Sequence, residues 1–183
     1  PVKAMAARLG LKLAPVTMDG SGICPDALEA LCETHTIRAL YCTPNLQTPT
    51  TITLSPERRR HVAAIARKYD VLIIQDDVFG PLLETPDEPF TCLAPDNTIY
   101  ITSTSKCLAP GLRVGYVRAA PRYVAALREA VNLTCWMTPP LMAEVAARWI
   151  LDGAADAMVA AQRTAASKRQ QMARSMLGAF RIN

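Results

Sequence analysis

Two stretches of this sequence gather side chains whose types and order can do chemistry. The first is Val71-Leu72-Ile73-Ile74-Gln75-Asp76-Asp77, an apolar run that ends in two adjacent carboxylates. The second, Thr102-Ser103-Thr104-Ser105-Lys106-Cys107-Leu108-Ala109-Pro110-Gly111-Leu112-Arg113-Val114-Gly115, holds clustered hydroxyls, a lysine, a Pro-Gly turn and an arginine. Hydroxyls and a guanidinium that converge suit a phosphate monoester, whose oxygens accept several charge-assisted hydrogen bonds. An amine held in the same place can condense with an aldehyde. The carboxylate pair also has a plainer use as a helix cap or a loop ion pair, and alone it decides nothing.

Other chemistries lack their residues. Gly20-Ser21-Gly22 is missing the third glycine of a dinucleotide fingerprint, and no glycine-rich loop ends in Lys-Ser or Lys-Thr. Neither His35 nor His61 lies near a nucleophile-elbow pattern. The six cysteines (Cys24, Cys32, Cys42, Cys92, Cys107, Cys135) include no Cys-x-x-Cys pair, and the histidines stand outside metal-ligand spacing. Reduced, mostly buried thiols and no metal are therefore expected, with Cys107, beside Lys106, unusually accessible to oxidation. A net charge of +4 over 183 residues is small and its basic residues are scattered. The one dense cluster, Arg58-Arg59-Arg60, opens a predicted helix and reads as a solvated face, since a nucleic-acid surface needs a wider basic footprint.

The elements that must position these residues follow from periodicity. Apolar residues at helical spacing mark 1–9, 25–33 and 55–68, each followed by a short strand-like run. Strands are predicted over Leu11–Thr17, Arg38–Cys42, Val71–Gln75, Thr98–Thr102 and Arg113–Val117, an alternation that predicts α/β layering. Ser55 as N-cap, Pro56 at the first helical position and Glu57 in the first turn signal the helix at 55–68. After residue 121 only helices are predicted, at 121–134, 139–151 and 154–178, the last rich in good helix formers. Glu84–Pro95, with three prolines, reads as an irregular surface segment. In an open α/β sheet, ligands bind at the carboxyl ends of strands, which is where Asp76 and the hydroxyl cluster would fall.

Ser103-Thr104-Ser105-Lys106, followed by Leu-Ala-Pro-Gly-Leu-Arg-Val-Gly-Tyr to residue 116, resembles the fold-type I pyridoxal-phosphate aminotransferases. Within them it is most similar to the aminotransferase-like domain of MocR/GntR-type transcriptional regulators. Ser55-Pro56-Glu57-Arg58-Arg59 and Trp136-Met137 before Pro139-Pro140 extend the resemblance over almost the whole chain. It implies a three-layer α/β sandwich with a mostly parallel central sheet, followed by linking helices. Residues 1–152 would form the cofactor-binding large domain, incomplete at its N-terminus, and 153–183 a long helix leading to a small domain. The ends of the chain, Pro1 and Phe180-Arg181-Ile182-Asn183, read as those of a central piece of something longer.

By position, the resemblance makes Lys106 the Schiff-base lysine of pyridoxal 5'-phosphate, and Ser103, Ser105 and Arg113 the phosphate contacts. Asp76 becomes the partner of the pyridine nitrogen, which keeps the ring protonated as an electron sink, and Asp77 a structural neighbour. Two positions depart from the family. Thr48-Pro49-Thr50-Thr51 stands for Asn-Pro-Thr-Gly, so Thr48 replaces an asparagine that would bond the cofactor's phenolic oxygen, and Asn45 is the nearest remaining amide. Phe79 stands where a hydrogen-bonding tyrosine is often found.

The implied function is a sensor module that binds the cofactor, takes an amino compound as ligand, and acts on DNA through a domain outside this chain. The alternative is a working amino-acid aminotransferase, and a cofactor-free interaction fragment is a third reading. Enzymatic turnover is left open. A homodimer is implied. The sequence has neither an apolar run of about 18 residues nor a signal-peptide pattern, which predicts a cytoplasmic location without membrane insertion.

Overall fold

Burial alternates along the strands in the way that places one face of a sheet against a core. In β3 (Ala39–Cys42), Leu40 and Cys42 are buried while Ala39 and Tyr41 are exposed, and in β4 (Leu72–Asp76) Ile73 and Gln75 are buried between half-buried neighbours. The computed structural model describes residues 2–178. A sheet of order β3-β4-β5-β6 forms its centre, with β5 (Thr98–Ser103) parallel to β4, and β6 (Gly115–Ala119) antiparallel to β5. Asp76 is in register with Ile101, and Ser103 with Gly115.

Helices α2 (Pro25–Thr34) and α3 (Pro56–Lys68) cover the buried face, and their Leu28, Val62 and Ala66 join Leu40, Ile73 and Phe90 in the main core. Ser55 accepts a hydrogen bond from Arg58 N at 3.3 Å, as its cap position predicts. A second core lies beneath the lysine segment. Cys107, Leu108, Leu112 and Val114 pack there on Ala146 of α7 (Pro140–Leu151) and Ala155 of α8 (Ala154–Leu177). The remaining helices are α1 (Val2–Arg8), the four-residue α4 (Phe90–Leu93) and α5 (Thr104–Cys107), and α6 (Pro121–Cys135).

Four expectations are corrected. Leu11–Thr17 is not a strand: among the described residues no strand pairs with it, and the short strands β1 (Met18–Asp19) and β2 (Gly22–Ile23) form a hairpin just beyond it. The last strand begins at Gly115 rather than Arg113, because Arg113 adopts a left-handed conformation (φ 55°) that cannot continue a ladder. The segment 84–95 is not all surface, since Phe90 is fully buried and its N–H donates to Gln75 Oε1 at 2.9 Å. The arginine triplet is not a solvated face. Only Arg60 is exposed, whereas Arg58 pairs with Asp19 at 2.6 Å and Arg59 is fully buried.

Arg59 donates to Leu54 O at 3.0 Å, to Pro44 O at 3.3 Å and to Asn45 Oδ1 at 2.6 Å. Burial lowers its proton affinity, while Asp87 and Asp77 oppose that loss. Removing a buried guanidinium bonded this way takes the donor from the buried Asn45 Oδ1 and weakens the support of the Leu54 and Pro44 carbonyls. Arg59→Met should therefore cost on the order of 3 kcal/mol of stability in chemical denaturation, and an unchanged unfolding midpoint would contradict this role.

Candidate functional site

The carboxyl ends of β4 and β5 lie side by side, and the first residues of antiparallel β6 return to the same edge. Three of the expected site segments meet there. Thr102 Oγ1 donates to Asp77 O at 3.1 Å and Asp77 N donates to Ile101 O at 2.8 Å, which ties the carboxylate pair to the strand that leads into the lysine.

Because successive strand residues point to opposite faces, the two adjacent carboxylates separate. Asp77 is buried, accepting from Asn45 Nδ2 at 2.7 Å and from Gln75 Nε2 at 3.5 Å. Asp76 stays on the open face. Its Oδ2 accepts the Tyr41 hydroxyl at 2.5 Å, and its Oδ1 is buried with no hydrogen-bond partner among the described residues. Burial first, and the Asp76 carboxylate second, push the Tyr41 hydroxyl well above the ordinary phenol range. Tyr100, paired with Gln75 across the sheet, is pushed up to about 12 by burial and the nearby Asp77 charge.

Ser103 ends β5 and caps α5, its Oγ accepting from Ser105 N at 3.4 Å. Thr104 is buried and both its N–H and its hydroxyl donate to Val114 O, at 3.1 and 3.2 Å, which fixes the single helical turn against the start of the next strand. Lys106 is consequently exposed, with Nζ 5.8 Å from the centre of the Phe79 ring. Ser105 is half-buried and Arg113 is exposed, the latter projected by its left-handed backbone. Cys107 points the other way. It is buried, its thiol bonds Ser103 O at 3.4 Å and burial pushes its pKa up, so the expected easy oxidation is corrected.

Thr48 lies exposed on the loop between β3 and α3, which Leu54 N to Pro44 O (2.8 Å) and Gln47 N to Ile52 O (2.9 Å) bonds close. Asn45 is buried, its amide engaged by Asp77 and Arg59 rather than presented on the open face. The sequence reading missed Tyr41 and Arg59. Both were visible as a tyrosine near the end of the strand beside Asp76 and an arginine inside a helix, but only the pairing register brings Tyr41 to Asp76. No cluster of three or more possible metal ligands exists among the described residues, and no described helix is long and apolar enough to cross a membrane.

The donor set fits a phosphorylated pyridine aldehyde. An orphaned buried carboxylate oxygen asks for one N–H donor, and an exposed amine and two half-buried serine hydroxyls stand at the end of the neighbouring strand.

Comparisons with known proteins agree. The family model for aminotransferase class I and II matches residues 3–183. Over 93% of its length the chain is 32% identical to the HTH-type transcriptional regulator YdeF of Bacillus subtilis, covering 37% of that protein. Over 63% of its length it is 29% identical to aromatic-amino-acid aminotransferase 1 of Thermococcus litoralis, covering 30% of it. Its fold superposes with TM-score 0.86 on LysN, the alpha-aminoadipate aminotransferase of Thermus thermophilus complexed with N-(5'-phosphopyridoxyl)-L-leucine, at 23% identity, over 94% of this chain and 46% of that one.

The chain thus belongs to the aminotransferase class I and II family, whose cofactor is pyridoxal 5'-phosphate, and it has the family's α/β fold with a mostly parallel central sheet and flanking helices. It is an aminotransferase-like domain with HTH-type regulators among its relatives, and it spans about a third of the length of the two curated relatives named.

Gly80 follows Phe79, and a side chain there would collide with the Asp77 carboxylate. Gly80→Ala should lower stability by about 1–3 kcal/mol in thermal or chemical unfolding. Wild-type stability in that variant would show that Asp77 moves without cost.

Proposed function

We propose that this chain is the pyridoxal-phosphate-binding, effector-sensing part of a MocR-type transcriptional regulator. The observation that carries cofactor binding is the unpartnered, buried Asp76 Oδ1 at the end of β4, beside the strand whose end bears Lys106. The relatedness to an HTH-type regulator over nearly the whole chain favours the regulatory role.

When bound, pyridoxal phosphate supplies an electron sink that stabilises negative charge at the α-carbon of an amino compound. Lys106 Nζ would hold the cofactor through its aldehyde, and its free amine would be the base for a proton at the bound ligand's α-carbon. Ser103, Ser105 and Arg113 bind the phosphate. Asp76 Oδ1 would accept the ring N–H. Phe79 contributes an apolar wall and no donor, and Thr48 stands on an exposed loop, so the cofactor's phenolic oxygen receives less support than in the family's usual pattern. Weakened turnover with retained ligand exchange suits a sensor.

Residues 1–152 form the cofactor unit in this reading, and the helix from 153 onward connects it to a further domain; residues 179–183 lie outside the described part. The ligand is an amino compound, the assembly a cytoplasmic homodimer, and DNA is reached through a segment elsewhere in the full protein. A working aminotransferase is the second reading, favoured by the relationship to the Thermococcus enzyme.

The test is to mix the chain with pyridoxal phosphate, reduce with borohydride and locate the adduct by mass spectrometry. Modification at Lys106, absent in Lys106→Ala, is expected; modification spread over other lysines would overturn the assignment. Added amino acids should change the visible spectrum without steady release of 2-oxo acid, whereas multiple turnovers would establish the aminotransferase reading.

A further inference from the structure

The Asp76 carboxylate has two oxygens in unlike situations. Oδ2 takes the Tyr41 hydroxyl at 2.5 Å, a contact from the adjacent strand, while Oδ1 is sealed from solvent with no partner among the described residues. A carboxylate at a strand end can rotate about its last torsion, so an unrestrained Asp76 would exchange the two oxygens and present neither steadily. Tyr41 is placed to prevent that. It pairs with Ile74, two residues before Asp76 on the neighbouring strand, and the sheet fixes that offset on the face both side chains share. Tyr41 is itself 41% exposed, so it contributes little to the core; its hydroxyl has one hydrogen-bond partner among the described residues, Asp76.

We propose that Tyr41 is a positioning residue: by occupying Asp76 Oδ2 it reserves Oδ1 for a single ring N–H donor, and so sets the affinity of the chain for a protonated pyridine ring. This rests on the reading of Asp76 as the ring-nitrogen partner. Burial and the carboxylate's charge both hold the hydroxyl in its protonated, donating form. The neutral donor leaves the charge of Asp76 uncancelled, which a lysine or arginine in its place would not. An N–H donor that meets a pre-set, desolvated acceptor forms the stronger charge-assisted bond without first ordering the side chain.

The experiment compares two probes, pyridoxal 5'-phosphate and its analogue with carbon in place of the ring nitrogen, on the wild-type chain and on Tyr41→Phe. Loss of the hydroxyl should weaken pyridoxal phosphate by about tenfold, the worth of a hydrogen bond to a charged group, and leave the carbon analogue's dissociation constant unchanged. An equal loss for both probes means that Tyr41 only supports the local structure, and no loss for either means that Asp76 is held without it; both results overturn the proposal.

If the wild-type chain binds neither probe, the cofactor reading fails, and the pair is judged in the cofactor-free protein by ultraviolet titration of the phenols. The high-titrating phenol that disappears in Tyr41→Phe should move down in Asp76→Asn. If it stays in place, Tyr41 and Asp76 are not bonded and the proposal falls.

Discussion

The buried guanidinium of Arg59 is the interaction on which the site depends. It gathers the carbonyls of Pro44 and Leu54 and the amide oxygen of Asn45, and Asn45 in turn donates to Asp77. This chain of bonds closes the loop after β3 onto the start of α3, and it draws one of two adjacent carboxylates into the core. A buried carboxylate without such partners would be costly. With Asp77 satisfied inward, strand alternation leaves Asp76 on the open face, where it can serve a ligand.

The same economy of bonding shapes the lysine segment. Ser103 caps a helix of one turn, Thr104 anchors that turn to Val114, and Cys107 and Leu108 bury their side chains beneath it. Lys106 is the residue that this arrangement leaves outward. The support extends to α8, which packs against both α5 and the turn after Phe79, where Arg163 donates to the carbonyls of Pro81, Leu82 and Leu83. The turn that carries Lys106 and the turn after Phe79 are thus both seated on one long helix.

Much of this was legible in residue order. The four central strands and the helix at 55–68 followed from periodicity and from the Ser-Pro-Glu cap, because both are local signals. The family came from Ser103–Tyr116. What sequence alone misplaced depends on pairing. Leu11–Thr17 has strand-like composition, but no strand among the described residues pairs with it, and Arg113 breaks the ladder through a backbone angle that composition does not encode. Arg59 resembled its two neighbours in charge, and helical phase alone did not reveal that it points at the carbonyls of Leu54 and Pro44. Tyr41 gained its meaning from the register of β3 on β4, which joins residues 35 apart.

In the proposed function Asp76 and Asp77 have opposite duties, one toward the cofactor and one toward the fold. Measuring unfolding midpoints and pyridoxal phosphate affinity for Asp76→Asn and Asp77→Asn side by side tests it. Asp76→Asn should keep the midpoint and lose affinity, while Asp77→Asn should lower the midpoint through its broken bond with Asn45. If Asp77→Asn leaves stability intact and abolishes binding while Asp76→Asn does neither, the division between the two carboxylates is wrong.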